Sequence, residues 1–189
     1  YHSGGILGML SLTTLIPENN FGMVVLSNQQ AFGGLTAITE EALEDLLNLP
    51  DRDWVEEEQQ KYQAFMKRKA EFEVEEPEKI RAALPLESYA GTYNDAWYGD
   101  VKISYEQEKL RINFTHTPML QGTLEHYNDD TFIVRWDEPL LEADAFIDFS
   151  VNRNNEVNSA MLEAVAPYTD FSFDFHNLNL KKQKQQTGD

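Results

Sequence analysis

A regular series of short strand-like segments dominates the sequence from Leu86 to Leu180. Each segment alternates apolar and polar residues or is rich in aromatic residues, which is typical of half-buried β-strands. Clusters of turn-forming Asn, Asp and Glu residues separate the segments. The segments are YAGTY, DVKISYE, KLRINFTH, GTLEHY, TFIVRW, AFIDFSV, SAMLEAV and FSFDFH. An open sheet of about eight strands would leave unpaired edges, so we expect an up-and-down antiparallel β-barrel.

A second strand pattern lies near the start of the chain. Met9 to Ile16 (MLSLTTLI) and Phe21 to Ser27 (FGMVVLS) are apolar and rich in β-branched residues, and the turn-forming sequence Pro-Glu-Asn-Asn joins them. This arrangement predicts a β-hairpin. The run MVVL is continuously apolar, which predicts a strand that is covered on both faces.

A helix is predicted to follow the hairpin. Gly33-Gly34 interrupts the strand pattern, and apolar residues then recur at helical spacing, with Thr36 or Thr39 available as the N-cap. One hairpin and one helix cannot bury both faces of a sheet. We therefore expect residues 1–49 to need a covering partner, either the rest of a larger domain or another copy of the chain.

The remaining segments differ in composition from the strand regions. Residues 50–85 are strongly charged and predict one solvated helix, from Asp53 to Phe72, as a connector between two domains. Residues 181–189 are polar and predict a disordered tail. We therefore expect a remnant of a first domain at 1–49, a charged helical linker at 50–85 and a barrel at 86–180. The predicted fold class is mostly β, and α+β overall.

The charge and the lack of cysteine exclude several function classes. The formal net charge is -18, from 33 acidic and 15 basic residues, so the surface repels nucleic acid and anionic membranes. The sequence has no cysteine, which excludes disulfides and cysteine-ligated zinc. No apolar run approaches the length of a membrane span.

Aromatic residues and histidines of the barrel segments are candidate binding residues. Aromatic side chains in a small barrel either fill its interior, which we favour, or line a ligand cavity. The aromatic candidates are Tyr93, Trp97, Tyr98 and Trp136. Three histidines in the same region have no spacing that would gather them around a metal ion, so we predict packed or surface positions. They are His116, His126 and His176.

Several stretches together resemble two protein families. HSGGILGM, a hairpin that ends in GMVVLSN, and a helix that ends in LLNL resemble the last part of a β-lactamase-like, penicillin-binding-protein-like serine hydrolase domain. LESYAGTY and GTLEHYNDDTFIVRW resemble the lipocalin-like β-barrel domain of unknown function that often follows such enzymes in bacteria. The resemblance covers nearly the whole chain. It implies the C-terminal part of a periplasmic or envelope-associated enzyme that forms an acyl-enzyme and uses no cofactor or metal.

In the hydrolase family a site is built from Ser-x-x-Lys, from Tyr-x-Asn or Ser-x-Asn, and from Lys-Thr-Gly or His-x-Gly. By resemblance His2-Ser3-Gly4 is the third motif. The resemblance implies that His2 donates or relays a proton and that Ser3 offers its hydroxyl to the substrate or to this relay. It also implies that Gly4 leaves room for substrate backbone and that the N–H of Gly5 forms half of an oxyanion hole.

No serine of this chain has a lysine three residues later, so the nucleophile motif is absent and the chain alone is predicted to be inactive. The favoured hypothesis is a serine hydrolase that acts on an amide, peptide or ester bond of a peptide or small-molecule substrate. The alternative is a non-catalytic module whose barrel binds a ligand or a partner. A Ser-x-x-Lys and a Tyr-x-Asn upstream of Tyr1 would favour the enzyme, and their absence would favour the binding module.

Overall fold

The computed structural model describes residues 1–6, 8–77, 80–81 and 83–184. The chain divides into two compact units, Tyr1–Phe72 (unit 1) and Glu73–Asp189 (unit 2). In the described residues unit 1 contains a small three-stranded sheet and two helices, and unit 2 contains a closed antiparallel barrel of eight strands. The predicted mostly β fold class is confirmed. Within the part of the chain that is described, no helix has the length and apolar character needed to cross a membrane.

The sheet of unit 1 contains the predicted hairpin and one further strand. Strands β1 (His2–Ile6), β2 (Met9–Ile16) and β3 (Phe21–Ser27) are antiparallel, with β2 in the middle. Pro17–Asn19 forms a short 3₁₀ turn between β2 and β3. Asn20 follows it in the left-handed conformation (φ 50°), which asparagine tolerates better than most residues.

Only one face of this sheet is covered within unit 1. A helix, α1 (Phe32–Leu47), packs against β2 and β3 and buries Leu10 on that face. On the opposite face Val24 is 61% exposed and Leu26 is 74% exposed. MVVL was predicted to be covered on both faces, but within the described residues of unit 1 only the face that packs against α1 is covered.

The start of α1 differs from the prediction. Gly33 and Gly34 lie inside the helix, which begins at Phe32 and has no side-chain N-cap. The hydroxyl of Thr36 donates to the carbonyl oxygen of Phe32 at 3.2 Å, within the first turns, and Thr39 is buried further along. The helix therefore begins before either predicted N-cap and includes the glycine pair, because packing of the helix outweighs the low helix propensity of glycine.

The charged helix of the predicted linker belongs to unit 1. Helix α2 (Trp54–Ala70) begins after Asp53, whose carboxylate accepts the backbone N–H of Glu56 at 2.9 Å. It packs closely against α1 where Gly33 meets Glu58, since a Cβ at Gly33 would lie 3.1 Å from the Glu58 Cβ atom. The connector is therefore shorter than the predicted 50–85.

The barrel has the predicted up-and-down order, and its first seven strands match the predicted segments. Each strand pairs with its neighbours in the chain, and the last strand closes the barrel by pairing with both the first and the seventh. The strands are β4 (Gly91–Asp95), β5 (Gly99–Glu106), β6 (Lys109–Phe114), β7 (Gln121–Asn128), β8 (Thr131–Trp136), β9 (Ala145–Val151), β10 (Val157–Ala164) and β11 (Leu180–Lys182).

The eighth strand was predicted in the wrong place. FSFDFH forms two 3₁₀ turns, Phe171–Phe173 and Phe175–Asn177, and not a strand. The ring of Phe175 stacks on Phe173 at 5.3 Å and on Trp136 at 6.0 Å. The alternating phenylalanines therefore pack on each other and on Trp136, and they do not form a strand of the barrel wall.

The predicted tail also begins too early. Residues 181 and 182 belong to β11, and the N–H of Gln183 donates to the carbonyl oxygen of Thr92 at 2.8 Å. The barrel therefore extends beyond its predicted end at residue 180. Residues 185–189 of the predicted tail lie outside the described residues.

Alternating side chains fill the interior of the barrel. In β6, Leu110, Ile112 and Phe114 are buried, whereas the residues between them are more exposed. The same alternation in the other strands produces one continuous core. Its largest fully buried side chains include Tyr89, Tyr93, Phe114 and Phe132.

Candidate functional site

The four residues assigned to the His-x-Gly wall lie on β1, at the edge of the sheet in unit 1. β1 pairs with β2, with Gly4 opposite Ser11 and Gly5 opposite Leu10. Among the described residues of unit 1, no strand pairs with the other edge of β1. An unpaired strand edge offers backbone N–H and C=O groups to an extended polypeptide.

The two polar side chains of the motif point to opposite faces of β1, because side chains alternate along a strand. His2 lies opposite Thr13 on the uncovered face of the sheet, which we call the open face. Ser3 lies opposite Leu12 on the face that α1 covers. The structure therefore brings His2 and Gly4 onto one face and separates the Ser3 hydroxyl from the imidazole. His2 is exposed to solvent.

The two glycines have a packing role that the sequence analysis missed. A Cβ on Gly5 would lie 2.8 Å from a methyl group of Leu10 and 3.6 Å from the ring of Phe32. A Cβ on Gly4 would lie 3.1 Å from the hydroxyl oxygen of Ser11, which donates to the Gly4 carbonyl oxygen at 3.3 Å. A side chain at Gly5 would therefore push the terminal methyl group of the buried Leu10 side chain aside.

Large apolar side chains surround the motif on the open face. Their exposed fractions lie between 59% and 74%, well above what a covered strand would show. They are Ile6, Met9, Leu15, Val24 and Leu26. The alternation of β1, β2 and β3 places all of them on the same face as His2. Apolar side chains gathered on one exposed face mark an interaction surface.

One stretch of the barrel also has the form Ser-x-Asn, namely Ser150-Val151-Asn152. It belongs to unit 2, and its asparagine holds the turn between β9 and β10. The Asn152 side-chain oxygen accepts the N–H groups of Asn154 at 2.8 Å and Glu156 at 3.0 Å, and its amide donates to the Glu156 carboxylate. These bonds explain the asparagine as a turn residue.

Three of the four aromatic candidates help to fill the barrel. Tyr93 and Trp136 are buried, and Tyr98 is partly buried against the core. Their polar atoms bond inside the protein: Tyr93 to the carbonyl oxygen of Tyr89 (2.7 Å), Trp136 to Ala143 (2.6 Å) and Tyr98 to Phe173 (2.9 Å). Interior packing is thus confirmed for these three residues. Trp97 differs, because it is 69% exposed and lies outside the core.

The histidines of the barrel occupy separate environments. The ring of His126 packs edge-on against Phe132, and its Nε2 atom lies 3.0 Å from the carbonyl oxygen of Asp129. His116 lies beside Thr115, and His176 lies 3.8 Å from Asp174. Among the described residues, no three His, Asp or Glu side chains are gathered closely enough to hold a metal ion.

A buried carboxylate at one end of the barrel was missed by the sequence analysis. One oxygen of Asp95 accepts the N–H groups of Trp97 (2.8 Å) and Tyr98 (3.0 Å), and the other accepts that of Asn179 (2.9 Å). Burial alone would raise the pKa of Asp95, but the three hydrogen bonds outweigh it and hold the pKa below its usual value. The sequence indicated only a turn at Asn94-Asp95.

A second polar cluster lies at the opposite end of the barrel. The hydroxyl of Tyr89, which is fully buried, donates to Asp130 and accepts the N–H of Leu84 at 2.8 Å. Burial, together with the hydrogen bond to this carboxylate, raises the pKa of Tyr89. The hydroxyl therefore has both a donor and an acceptor partner inside the protein, which favours a structural role.

One solved structure and one protein family are similar to parts of this chain. The C-terminal domain of penicillin binding protein Rv0907, known from a crystal structure, is 17% identical over 59% of this chain and 97% of that domain, with a TM-score of 0.42. No curated protein matches the chain. The model of the family described as "Domain of unknown function (DUF3471)" matches residues 75–182, which are more than half of the chain and contain every strand of the barrel. The chain therefore belongs to the DUF3471 family.

Proposed function

We propose that this chain is the C-terminal part of a bacterial, envelope-associated serine hydrolase of the β-lactamase-like, penicillin-binding-protein-like kind. In this proposal residues 1–72 are one wall of the hydrolase domain, and the DUF3471 barrel is its accessory domain. The observation that carries the proposal is the position of His-Ser-Gly-Gly. The motif lies on an edge strand whose outer edge is unpaired among the described residues, and its imidazole is exposed on the open face.

The chemistry of acyl transfer is consistent with this arrangement. A serine supplied by a segment outside this chain would attack the substrate carbonyl, and the amide, peptide or ester bond would break as the amine or alcohol leaves with a proton. Water would then hydrolyse the acyl-enzyme to a carboxylic acid and the free serine. The His2 imidazole would donate or relay a proton at this step, and the Gly5 N–H would stabilise the oxyanion. The Ser3 hydroxyl lies on the α1 side, so we assign it to a substrate group that lies along the strand edge and not to a relay with His2.

The open face supports the same proposal. A sheet that exposes five large apolar side chains on one face is incomplete as a separate domain. The catalytic serine would have to reach His2 from this face, so the segment that carries it would also cover those side chains. Completion of the active site and burial of the open face would then depend on the same segment.

The alternative of a ligand inside the barrel is disfavoured by the packed interior. Tyr93 and Trp136 fill it, and each has a polar atom already bonded to a backbone carbonyl group. A lipocalin-type ligand needs apolar walls around free space and a few polar groups available to it.

The proposal is tested on both the chain and the longer gene product. We expect no labelling of this chain by a fluorophosphonate, because Ser-x-x-Lys is absent. We expect the reading frame upstream of Tyr1 to encode Ser-x-x-Lys and Tyr-x-Asn, and the longer product to be labelled at that serine.

In the longer product, His2→Ala should lower kcat by ~10²–10⁴-fold, the usual effect of losing general acid–base help. His176→Ala replaces an exposed histidine of the barrel and should leave kcat unchanged. Labelling of a serine in this chain alone, or full turnover by His2→Ala, would contradict the assignment.

A further inference from the structure

The connections between barrel strands alternate between the two ends of the barrel, because consecutive strands are antiparallel neighbours. Four connections share the end that we call the loop end. They are residues 96–98, 115–120, 137–144 and 165–179. The turns at the opposite end are residues 107–108, 129–130 and 152–156, and they consist only of Asn, Asp, Gln, Glu and Arg.

The loop end presents large apolar side chains to solvent. Trp97 is 69% exposed, Met119 is 55% exposed and Leu140 is 80% exposed. Each belongs to a different connection, and these three connections follow one another around the rim. The N–H of Thr115 donates to the carbonyl oxygen of Asp100 in β5 (3.0 Å), and the N–H of Asp137 donates to that of Gln121 in β7 (2.8 Å), so each of these two connections is bonded to a strand end that adjoins the connection before it. The apolar residues thus share one rim.

Hydrogen bonds fix the backbone that carries two of these side chains, Trp97 and Leu140. Asp95 accepts the N–H groups of both Trp97 and Tyr98, which fixes the turn with Tyr98 packed against Phe114 and Trp97 outside. Glu138 accepts the N–H of Leu140 at 3.1 Å and starts a short 3₁₀ turn. A surface that is already ordered loses little conformational entropy when a partner binds, which favours affinity.

With His116 and His176 counted as neutral, every charged residue in the four connections of the loop end is acidic. The four connections contain no lysine or arginine. They contain six acidic residues: Asp137, Glu138, Glu142, Asp144, Asp170 and Asp174. Two arginines of the adjoining strands pair with two of them, Arg111 with Asp137 and Arg135 with Asp144. A negative rim around apolar side chains is complementary to a partner that is both apolar and positively charged.

We infer that the loop end of the barrel is a docking surface for a basic amphipathic polypeptide segment, one in which apolar side chains alternate with lysine or arginine. The apolar side chains would contact Trp97, Met119 and Leu140, and the basic side chains would face the acidic rim. The same charge disfavours an anionic lipid surface and a second copy of this acidic chain. The surface belongs to unit 2 and does not depend on the hydrolase proposal.

The test uses the full chain and three labelled synthetic peptides of equal length. The first alternates leucine with lysine, the second leucine with glutamate and the third glycine with lysine. Their binding is followed by fluorescence anisotropy. We expect saturable binding of the leucine–lysine peptide that weakens as salt is added. Trp97→Ala and Leu140→Ser should each weaken it at least about tenfold, as truncation of a central contact does. Met161→Ser, which changes an exposed side chain on the outer wall of β10, is the matched control.

Several results would overturn the inference. They are equal binding of the glycine–lysine peptide, equal binding of the leucine–glutamate peptide, or the same affinity in Trp97→Ala, Leu140→Ser and Met161→Ser. Cosedimentation with phosphatidylglycerol vesicles that Trp97→Ala abolishes would assign the surface to a membrane. Self-association in sedimentation velocity that Trp97→Ala abolishes would assign it to a second copy. Either result would also contradict a basic peptide partner.

Discussion

The carboxylate of Asp95 accepts the backbone N–H of Asn179, 84 residues further along the chain, at 2.9 Å. Asn179 immediately precedes β11, the short strand that closes the barrel. The other oxygen of Asp95 holds the turn between β4 and β5. One buried side chain therefore joins the first hairpin of the barrel to its last strand.

Replacement of Asp95 by asparagine should destabilise the barrel. The amide can still accept from Trp97 and Tyr98 through its oxygen, but its NH₂ group cannot accept from Asn179. We expect a loss of about 1–3 kcal/mol in the free energy of unfolding, as for a buried hydrogen bond to a charged group. Urea denaturation measures this loss. Asp100→Asn is the control and should change stability little, because this carboxylate is exposed and accepts a hydrogen bond from the Asn94 side chain, which an amide oxygen can also accept. Equal stability of the two variants would contradict the role of Asp95.

The same carboxylate should contribute to acid sensitivity. The pKa of Asp95 is lower in the folded chain than its ordinary value of about 3.9 in the unfolded chain. Its stabilisation is therefore fully present above that value and is lost as the pH falls through the folded pKa. We expect the parent protein to lose more free energy of unfolding than Asp95→Asn as the pH falls from 5 through the folded pKa of Asp95. The urea midpoint at each pH measures this loss. A parallel loss in both proteins would count against this account.

Gly122 should tolerate no side chain. A Cβ there would lie 2.3 Å from the carbonyl oxygen of Arg135 on the paired strand β8, so the backbones would have to separate. We expect Gly122→Ala to cost roughly 1–3 kcal/mol in the free energy of unfolding, as overpacking does. Gly34→Ala is the matched control, because nothing lies within 4 Å of a Cβ in that helical position. It should stabilise the chain by about 0.5–1 kcal/mol. Thermal or urea denaturation that shows the same sign for both variants would refute this reasoning.

The barrel could be predicted from the sequence because its strands are long enough for alternation to show. Lys109–Phe114 alternates clearly between exposed and buried positions. Leu180–Lys182 is too short to carry such a signal, and its place depends on contacts with distant strands. FSFDFH has strand-like alternation, but its phenylalanine rings pack on each other and on Trp136 at the end of the barrel.

The residues of the candidate site could be predicted as a sequence motif, but their packing in three dimensions could not. His2 to Gly5 were identified from residue type and resemblance, and strand alternation would have separated His2 from Ser3 once β1 was recognised as a strand. The Gly5 contact with Leu10 and Phe32, and the docking of α2 near Gly33, depend on tertiary packing that no local pattern encodes. Asp95 was missed for the same reason, because its third partner, Asn179, is distant in sequence.

Two differences between the units lead to the final prediction. Every strand of the barrel is paired on both sides, and the apolar side chains that point into the barrel are buried in its own core. The sheet of unit 1 leaves the outer edges of β1 and β3 unpaired among the described residues, and Val24 and Leu26 are exposed. We therefore expect unit 2 to fold as a cooperative unit by itself and unit 1 to be part of a larger domain.

Hydrogen exchange followed by mass spectrometry on a dilute, monomeric sample of the chain tests this claim most directly. We predict strong protection of the amides in β5 to β9 and much weaker protection in Phe21–Ser27. Local opening of the uncovered sheet breaks few buried contacts, so it costs little free energy. Protection of Val24 to Leu26 equal to that of the barrel strands would show that unit 1 is complete without further segments. That result would contradict the proposed hydrolase wall.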